Sequence, residues 1–512
     1  MTLFQFILSS ARHYWRAHLG LLFGAFLASA ILCGSLLVGD SVRASLRRVA
    51  ELRLGQVESG LLGGDRWFTE NLARQVQSVP AILAVGSASG ANGKVRVNGA
   101  QVLGVDADFW KLSASGTPVP LGKTDMALNE PLAKKLGVKV GDTVLVRMER
   151  PSAISRDAPL SGSTNQDISL RRKVGAIVSA EDFGAFQLIA SQITPDSVFV
   201  NLADLQTQLE MDGKVNAALS STALRDRAAE LEKVKTLDDF GLRLTRVSGS
   251  VKEWEVSTTR VFVDQTLAAK LLQREGSYGV LTYLVNGLKS AKGGTPYSMI
   301  TAADRMNRGS APTESGITIT QWLADDHGLK IGDSLEIFYF VVGLGRELKQ
   351  QTASFTVKGI LPMSDPEVIR AWTPEFPGVS DVDNCRDWEP GIPMDMKAIR
   401  DQDEKYWDDY KGTPKGFISL SAGQKLWANR FGQLTAIRFA DSGQNETTLR
   451  QELLTQLTLA DIGLVPRSFK SDADAAAKGS VDFGGLFIGL SLFLIAAALV
   501  FAALLFLFTR LN

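Results

Sequence analysis

Apolar residues are distributed unevenly along this chain, and the longest unbroken apolar runs lie near its two ends. Residues 19–39 (LGLLFGAFLASAILCGSLLVG) carry no formal charge over 21 positions, close to the roughly 20 that a helix needs to cross about 30 Å of hydrocarbon. Residues 483–509 form a second run of 27 uncharged positions, long enough to span with tilt. Backbone amides in hydrocarbon must pair within their own segment, so both runs predict transmembrane helices. Ala28-Ser29-Ala30 matches the small-residue pattern of a signal-peptide cleavage site, but the apolar run continues through Val38, which favours a span over a cleaved leader.

Past the first run, Val42, Leu46, Val49 and Leu52 recur at helical steps while Arg43, Arg47 and Arg48 occupy other faces, predicting a helical stalk or a helix packed on its own domain. Residues 468–478 (SFKSDADAAAK) predict a helix leading into the second span. Between the two runs the pattern changes to short strand-like segments. Residues 94–106 alternate on both sides of Asn98-Gly99, the signature of a tight hairpin. Residues 144–148, 173–178, 197–200, 260–263, 335–340, 355–360 and 417–420 are further strands by their Val, Ile and Phe content. Residues 202–209 read as a helix, so the soluble part is expected to be α+β.

An internal repeat organises that part. Residues 132–146 (LAKKLGVKVGDTVLV) align without gaps on residues 323–337 (LADDHGLKIGDSLEI), with six identities. In each copy a glycine-containing strand follows (173–178; 357–361), then a strand running into a helix (from Ser197; from Gly416). Two related units, 90–220 and 260–445, are inferred. Gly137 and Gly328 suit left-handed helix caps, and Gly141-Asp142 and Gly332-Asp333 suit the turn into the next strand. The second unit carries an insertion, 365–411, with 13 acidic and 6 basic residues, expected to be a solvated irregular loop. The predicted layout is an amphipathic cytoplasmic segment 1–18, a span 19–39, a stalk 40–89 leading to the soluble domain, unit one 90–220, a connector 221–259, unit two 260–445, a return stalk 446–482 and a second span 483–509.

Composition narrows the chemistry. Lys plus Arg equals Asp plus Glu at 55 each, so the basic excess of a nucleic-acid binder is missing and no nucleic-acid partner is expected. Cys33 and Cys385 are the only cysteines; with one inside an apolar run, no disulfide is expected. His13, His18 and His327 are the only histidines, and a triad or zinc site in the soluble part would rest on His327 alone. Gly122-Lys123-Thr124 lacks the spacing and leading strand of a phosphate loop. Asp381, Asp383 and Asp387, or Asp408 and Asp409, fit no twelve-residue calcium loop. No catalytic, cofactor-binding or metal-ligating residue is nominated, no cofactor is expected, and the chain is not expected to be an enzyme.

The segment ARHYWRAHLGLLFGAFLASAILCGSLLVGDSVRASL, the hairpin ending in LGVDADFW, the LAKKLGVKVGD and LADDHGLKIGD motifs and the closing FLFTRLN together resemble the FtsX/MacB-like permeases of ABC transporters, with a MacB-like periplasmic core domain. The resemblance implies two membrane helices tethering a large extracytoplasmic α+β domain, in the bacterial cytoplasmic (inner) membrane as a multi-pass protein. It implies a separate cytoplasmic ABC ATPase as partner, dimerisation or pairing with a second permease, and a possible periplasmic partner, serving export, lipoprotein release or mechanical signalling. Family members continue past the second span into a coupling segment and further helices, so a chain ending at Arg510-Leu511-Asn512 is expected to be a truncated or partial permease. The other reading is a membrane-anchored extracytoplasmic binding or scaffold protein without an ATPase. Arg12 and Arg16 place the N-terminus in the cytoplasm, whereas Arg43, Arg47, Arg48 and Arg53 favour the reverse by local count; long loops translocate largely regardless of charge.

Overall fold

The computed structural model describes residues 2–479, apart from 91–92, 94, 151–166, 190, 192, 248–251, 307–308, 311–312, 343–346, 377, 381 and 390–391, together with scattered positions from 489 to 507. The predicted second span, 483–509, therefore lies largely outside the described residues. Helix α1 (Leu3–His13) is followed by α2 (Trp15–Leu54), which continues without a break from the apolar run through the predicted stalk. Among the described residues α2 is the one helix long and apolar enough to cross a membrane. Leu19, Leu22, Phe23 and Phe26 on it are exposed, a state stable in hydrocarbon and costly in water.

Among the described residues the chain beyond α2 forms two sheets of nine strands each, besides two short two-stranded ones. The first uses β1 (Ser59–Leu62), β2 (Val79–Gly90), β3 (Arg96–Val105), β4 (Asp125–Asn129), β5 (Thr143–Glu149), β6 (Asp167–Val178), β7 (Ser197–Asn201) and β8 (Ala217–Ser220). The second uses β9 (Leu242–Arg246), β10 (Glu253–Thr258), β11 (Tyr278–Lys289), β12 (Gly294–Ala303), β13 (Gly316–Thr320), β14 (Ser334–Val342), β15 (Leu348–Leu361), β16 (Gly416–Ile418) and β17 (Ala436–Ala440). One further strand, β18 (Arg467–Ser468), belongs to the first sheet. The orders are β18-β1-β8-β2-β3-β7-β4-β6-β5 and β9-β10-β17-β11-β12-β16-β13-β15-β14. Each closes on itself, through β2–β5 and β11–β14, into a six-stranded barrel-like core. Corresponding pairs share direction: β3–β7 and β4–β6 are parallel, as are β12–β16 and β13–β15. Even the register break recurs, at Met126/Ala127 and at Ile317/Thr318. The fold is thus α+β with two barrels of one topology.

The repeated motif does the same work in each barrel. Helix α3 (Glu130–Leu136) is capped by Asn129 and ended by left-handed Gly137; after α4 (Leu202–Leu209), helix α5 (Gln321–His327) is capped by Thr320 and ended by left-handed Gly328. The side chains of Asp142 and Asp333 accept from the amides of Lys139 and Lys330, at 2.7 and 3.0 Å. Gly141 and Gly332, at φ of 94° and 100°, donate to Val174 and Val357. Both aspartates hold turns.

Several strand expectations are corrected. Asn98-Gly99 is not a hairpin turn: it lies inside β3, where Gly99, at φ 73°, is the extra residue of a bulge between the Gly86–Ala100 and Ser87–Asn98 pairs. The positive φ was legible, but a bulge demands it as much as a turn does. Residues 260–263 form no strand, since Val261 takes φ 65° and the apolar side chains serve as packing. The strand at 417–420 stops at Ile418, and Leu420 opens α7 (Leu420–Trp427), which follows α6 (Asp401–Tyr410). Strand β2 escaped notice because VPAILAVGSASG is rich in Ala, Gly and Ser, which have little strand propensity. The sheets also reach beyond the inferred units, with β1 and β2 preceding residue 90 and β9 and β10 preceding residue 260.

The insertion at 365–411 is not a solvated loop. Trp372, Phe376, Val379, Cys385, Trp388, Tyr406 and Trp407 within it are buried, and most join the main apolar core. Asp383, Asp387, Asp408 and Asp409 are exposed and Asp403 bonds Arg400, while the aromatic residues fill the underside, at roughly 1.5–3 kcal/mol for each large side chain withdrawn from water.

A second repeat follows each unit. Residues 236–242 (TLDDFGL) and 458–464 (TLADIGL) share five of seven positions. Each forms a 3-10 turn with a reciprocal Thr–Asp cap and a left-handed glycine, Gly241 or Gly463. The strand after the first copy, β9, joins the second sheet, and the strand after the second copy, β18, joins the first. Each unit thus lends its last strand to the edge of the other.

Candidate functional site at the root of the tethers

Helix α2 ends where the first barrel begins, and the stop is set by Gly55 at φ 53°. Its amide donates to Glu51, and the next amide, of Gln56, donates to the carbonyl of Leu112, both at 2.7 Å. A Cβ on Gly55 would lie 2.3 Å from that carbonyl and 2.8 Å from the Phe183 ring, so only glycine lets the helix sit this close. Leu54 and Val57 enter an apolar cluster with Phe109, Trp110, Phe183, Phe186 and Phe199. Phe183 stands 4.9 Å from both Phe109 and Phe186, and Trp110 stands 5.1 Å from Phe199. The ring separations are those of favourable aromatic pairs.

Phe183 itself takes φ 73°, a conformation that costs an L-residue roughly 1–2 kcal/mol. Asp182 holds it there, accepting from the Ser115 and Ser179 hydroxyls at 2.6 and 2.7 Å. The ring that meets the helix end is therefore set by a strained and pinned backbone.

The returning chain arrives at the same place. β18 pairs antiparallel with β1, and helix α8 (Phe469–Gly479) packs along α2. Phe469 is buried against Gly60, where a Cβ would approach its ring to 2.7 Å. The Lys470 amide donates to the Glu58 carbonyl at 3.2 Å, and the Arg53 guanidinium to the Ser191 carbonyl. Helices α2 and α8 thus leave one sheet edge side by side, embedded in one apolar cluster. A cluster this densely packed transmits displacement as a body.

A buried ionic cluster in the second barrel is the other chemical concentration. The Arg400 guanidinium donates to Asp326 at 2.7 Å and to Asp403 at 2.8 Å. Burial alone would raise the Asp326 carboxyl, but the hydrogen bonds from Arg400 and Thr295 hold it below its ordinary range. Lys415, 3.9 Å from Asp403, lies over the rings of Trp322 and Tyr406 at 4.3 and 4.5 Å, and burial pushes its pKa down to about 8. Burial likewise pushes the Cys385 thiol up to about 12 and lowers His327. His327 ends α5, as its place in the repeat implies, with Nε2 2.9 Å from Thr295 Oγ1. Asp326 accepts from Thr295 at 2.5 Å, while His327 Nδ1 has no partner. A Thr-His-Asp relay needs the carboxylate on Nδ1, so these contacts brace the insertion and do not prepare a nucleophile. Among the described residues no three metal-ligating side chains converge. Asp387, Asp408 and Asp409 are exposed, and Asp381 lies outside the described residues.

No family model matches the chain, and no curated protein matches it in sequence. Among solved structures it is similar to the periplasmic region of MacB from Actinobacillus actinomycetemcomitans, at 11% identity and a TM-score of 0.23, over 36% of this chain and 85% of that one. It is also similar to a domain of a protein described as a permease from Porphyromonas gingivalis, at 12% identity and a TM-score of 0.22, over 44% of this chain and 84% of that one. Neither likeness assigns the chain to a family.

Sequence reading reached the stalk and the return helix but not the root that joins them. The aromatic cluster is assembled from residues far apart in the chain. Two local signals were present: the repeated T-L-x-D-x-G-L motif, and Gly55 at the end of a long amphipathic pattern.

Proposed function

We propose that this chain is a membrane-spanning permease subunit of the ABC-transporter type, in which a separate cytoplasmic ATPase moves a large extracytoplasmic domain through two helical tethers. The second tether is the apolar run at 483–509. The chain itself carries no catalytic role in this reading. It works as a dimer or paired with a second permease, in the bacterial cytoplasmic membrane with the barrels on the outer side. The observation that carries the proposal is the unbroken course of α2 from the apolar run into the buried root of the first barrel. A helix of 40 residues is about 60 Å long at 1.5 Å per residue. Such a rod, clamped in a packed core at one end, converts a tilt in the membrane into movement of the barrel.

Two measurements test it. Cysteine placed at the exposed Asp387 should react with a membrane-impermeant maleimide in intact cells, and reaction only after lysis would overturn the topology. Inserting two glycines after Val49 should leave membrane insertion intact and abolish the dependence of barrel motion on ATP in a complex with the partner ATPase. Unchanged coupling, or the absence of any associating ATPase, would leave an anchored scaffold as the function.

A further inference from the structure

On the second barrel, a groove of about 870 Å³ runs between β11, β12 and β14 and the part of the insertion that contains Pro393, Met394 and Asp395. Its walls include Tyr297, Phe338, Phe340 and Met394. Asn286 is one of the residues along it, and its carboxamide Oδ1 and Nδ2 are shielded from solvent and have no hydrogen-bond partner. Buried polar groups are nearly always paired, so an amide lacking partners at both ends calls for an explanation.

The local backbone supplies one. The β11–β12 ladder passes from Val285–Ser298 to Gly287–Pro296 in one register and skips the Asn286–Tyr297 pair that lies between them. Tyr297 takes φ 30°, and its hydroxyl accepts from the Asp395 amide at 2.5 Å. A tyrosine held at positive φ and tied to the roof keeps the ladder open beside Asn286. Past Phe338, β14 has no further pairing with β11. The matching ladder of the first barrel, β2–β3, carries instead a bulge at Gly99, which shifts its register.

We infer that this groove takes an extended, uncharged polypeptide segment of a partner protein, one of whose backbone peptide groups pairs with the Asn286 carboxamide. A carboxamide offers one acceptor and one donor face, the complement of a peptide C=O and N–H. A turn of the Asn286 side chain toward the groove presents both, exchanging two unpaired atoms for two hydrogen bonds. The aromatic and Met walls accept apolar side chains. Lys289 and Asp395, the charged residues on the lining, cancel, which disfavours a strongly charged segment. An acyl chain would cover the walls and leave the carboxamide unpaired. The inference concerns the barrel alone and stands whether or not an ATPase drives the chain.

The test uses the full chain in lipid nanodiscs. A random twelve-residue peptide library is selected on it, and recovered sequences are resynthesised with capped ends and titrated by fluorescence anisotropy. Competing peptides with an uncharged apolar centre are expected. Asn286→Leu should weaken their binding at least tenfold while leaving the thermal midpoint unchanged or higher, since it removes an unpaired amide. Phe338→Asp should weaken it similarly. Replacing the central peptide bond by an ester, which deletes one N–H, should weaken binding to the native chain but not to Asn286→Leu. Failure to select any peptide, equal affinity for native and Asn286→Leu chains, or displacement of the peptides by lipid alone would overturn the inference.

Discussion

Ser59 and Ser468 lie opposite each other in an antiparallel pair. Their strands are only four and two residues long, yet the pair joins the chain leaving α2 to the chain entering α8. The outgoing helix enters the sheet one strand away from where the returning chain leaves it, and Phe469 closes over Gly60 to seal the contact. A force on either helix therefore reaches the same edge of the first barrel. The second barrel is reached through the exchanged strand β9 and the shared core.

Phe183 combines packing with strain, and the two can be separated. Phe183→Ala should lose about 3–5 kcal/mol through the cavity left among Phe109, Phe186 and Leu54. Phe183→Gly removes one more carbon but accepts φ 73° freely, so it should be no worse than the alanine variant. Urea denaturation followed by circular dichroism measures both; a glycine variant clearly weaker than the alanine variant would show that backbone strain is absent.

Equivalent turns in the two barrels should respond equally. Gly137→Ala and Gly328→Ala each force a Cβ into a left-handed cap, at φ of 66° and 59°, where neither meets a crowding protein backbone. Each should cost about 1 kcal/mol in its own barrel, and the double variant should show the sum because the sites are independent.

The TLDDFGL and TLADIGL turns differ in burial. Asp239, 2% exposed, accepts from the amide and hydroxyl of both Thr69 and Thr236. Asp461 accepts from the Thr458 amide and from Lys270 Nζ in a more open setting. Asp239→Ala strands buried donors at about 1–3 kcal/mol each and should cost at least about 3 kcal/mol. Asp461→Ala should cost less. Chemical denaturation of both variants measures the order, and a reversal would show that burial does not set it.

Lys415 predicts a pH dependence. Its folded pKa, about 8, lies below the ordinary lysine value, so between the two the unfolded chain binds more protons and stability rises with pH. Below about pH 8 both states are protonated and the penalty of the buried ammonium is constant. Cys385, pushed up to about 12, acts in the opposite sense above pH 9, so the useful reading is a difference. The thermal midpoint of the native chain minus that of Lys415→Met should increase from pH 8 toward pH 10, and a flat difference would contradict the burial of an ionisable lysine.

Much of the architecture was legible locally. Strands β5, β6, β7, β14 and β15, helix α4, the capping glycines and the turn aspartates were readable because neighbours in sequence make their decisive contacts. The insertion was misread because charge counts weigh Asp and Glu equally with Trp and Tyr, although the aromatic residues decide which side faces the core. The tether root was illegible because Gly55, Leu112, Phe183 and Phe469 carry no shared local pattern.

By itself the sequence determined the long apolar helix, the doubled unit and the turns that build it, since hydrophobic period and backbone φ preference act over a few residues. Closure of each barrel, the exchange of edge strands and the meeting of α2 with α8 were decided only by tertiary structure. Those pairings satisfy backbone hydrogen bonds between segments whose side chains do not name their partner, and only burial of one continuous core selects among them.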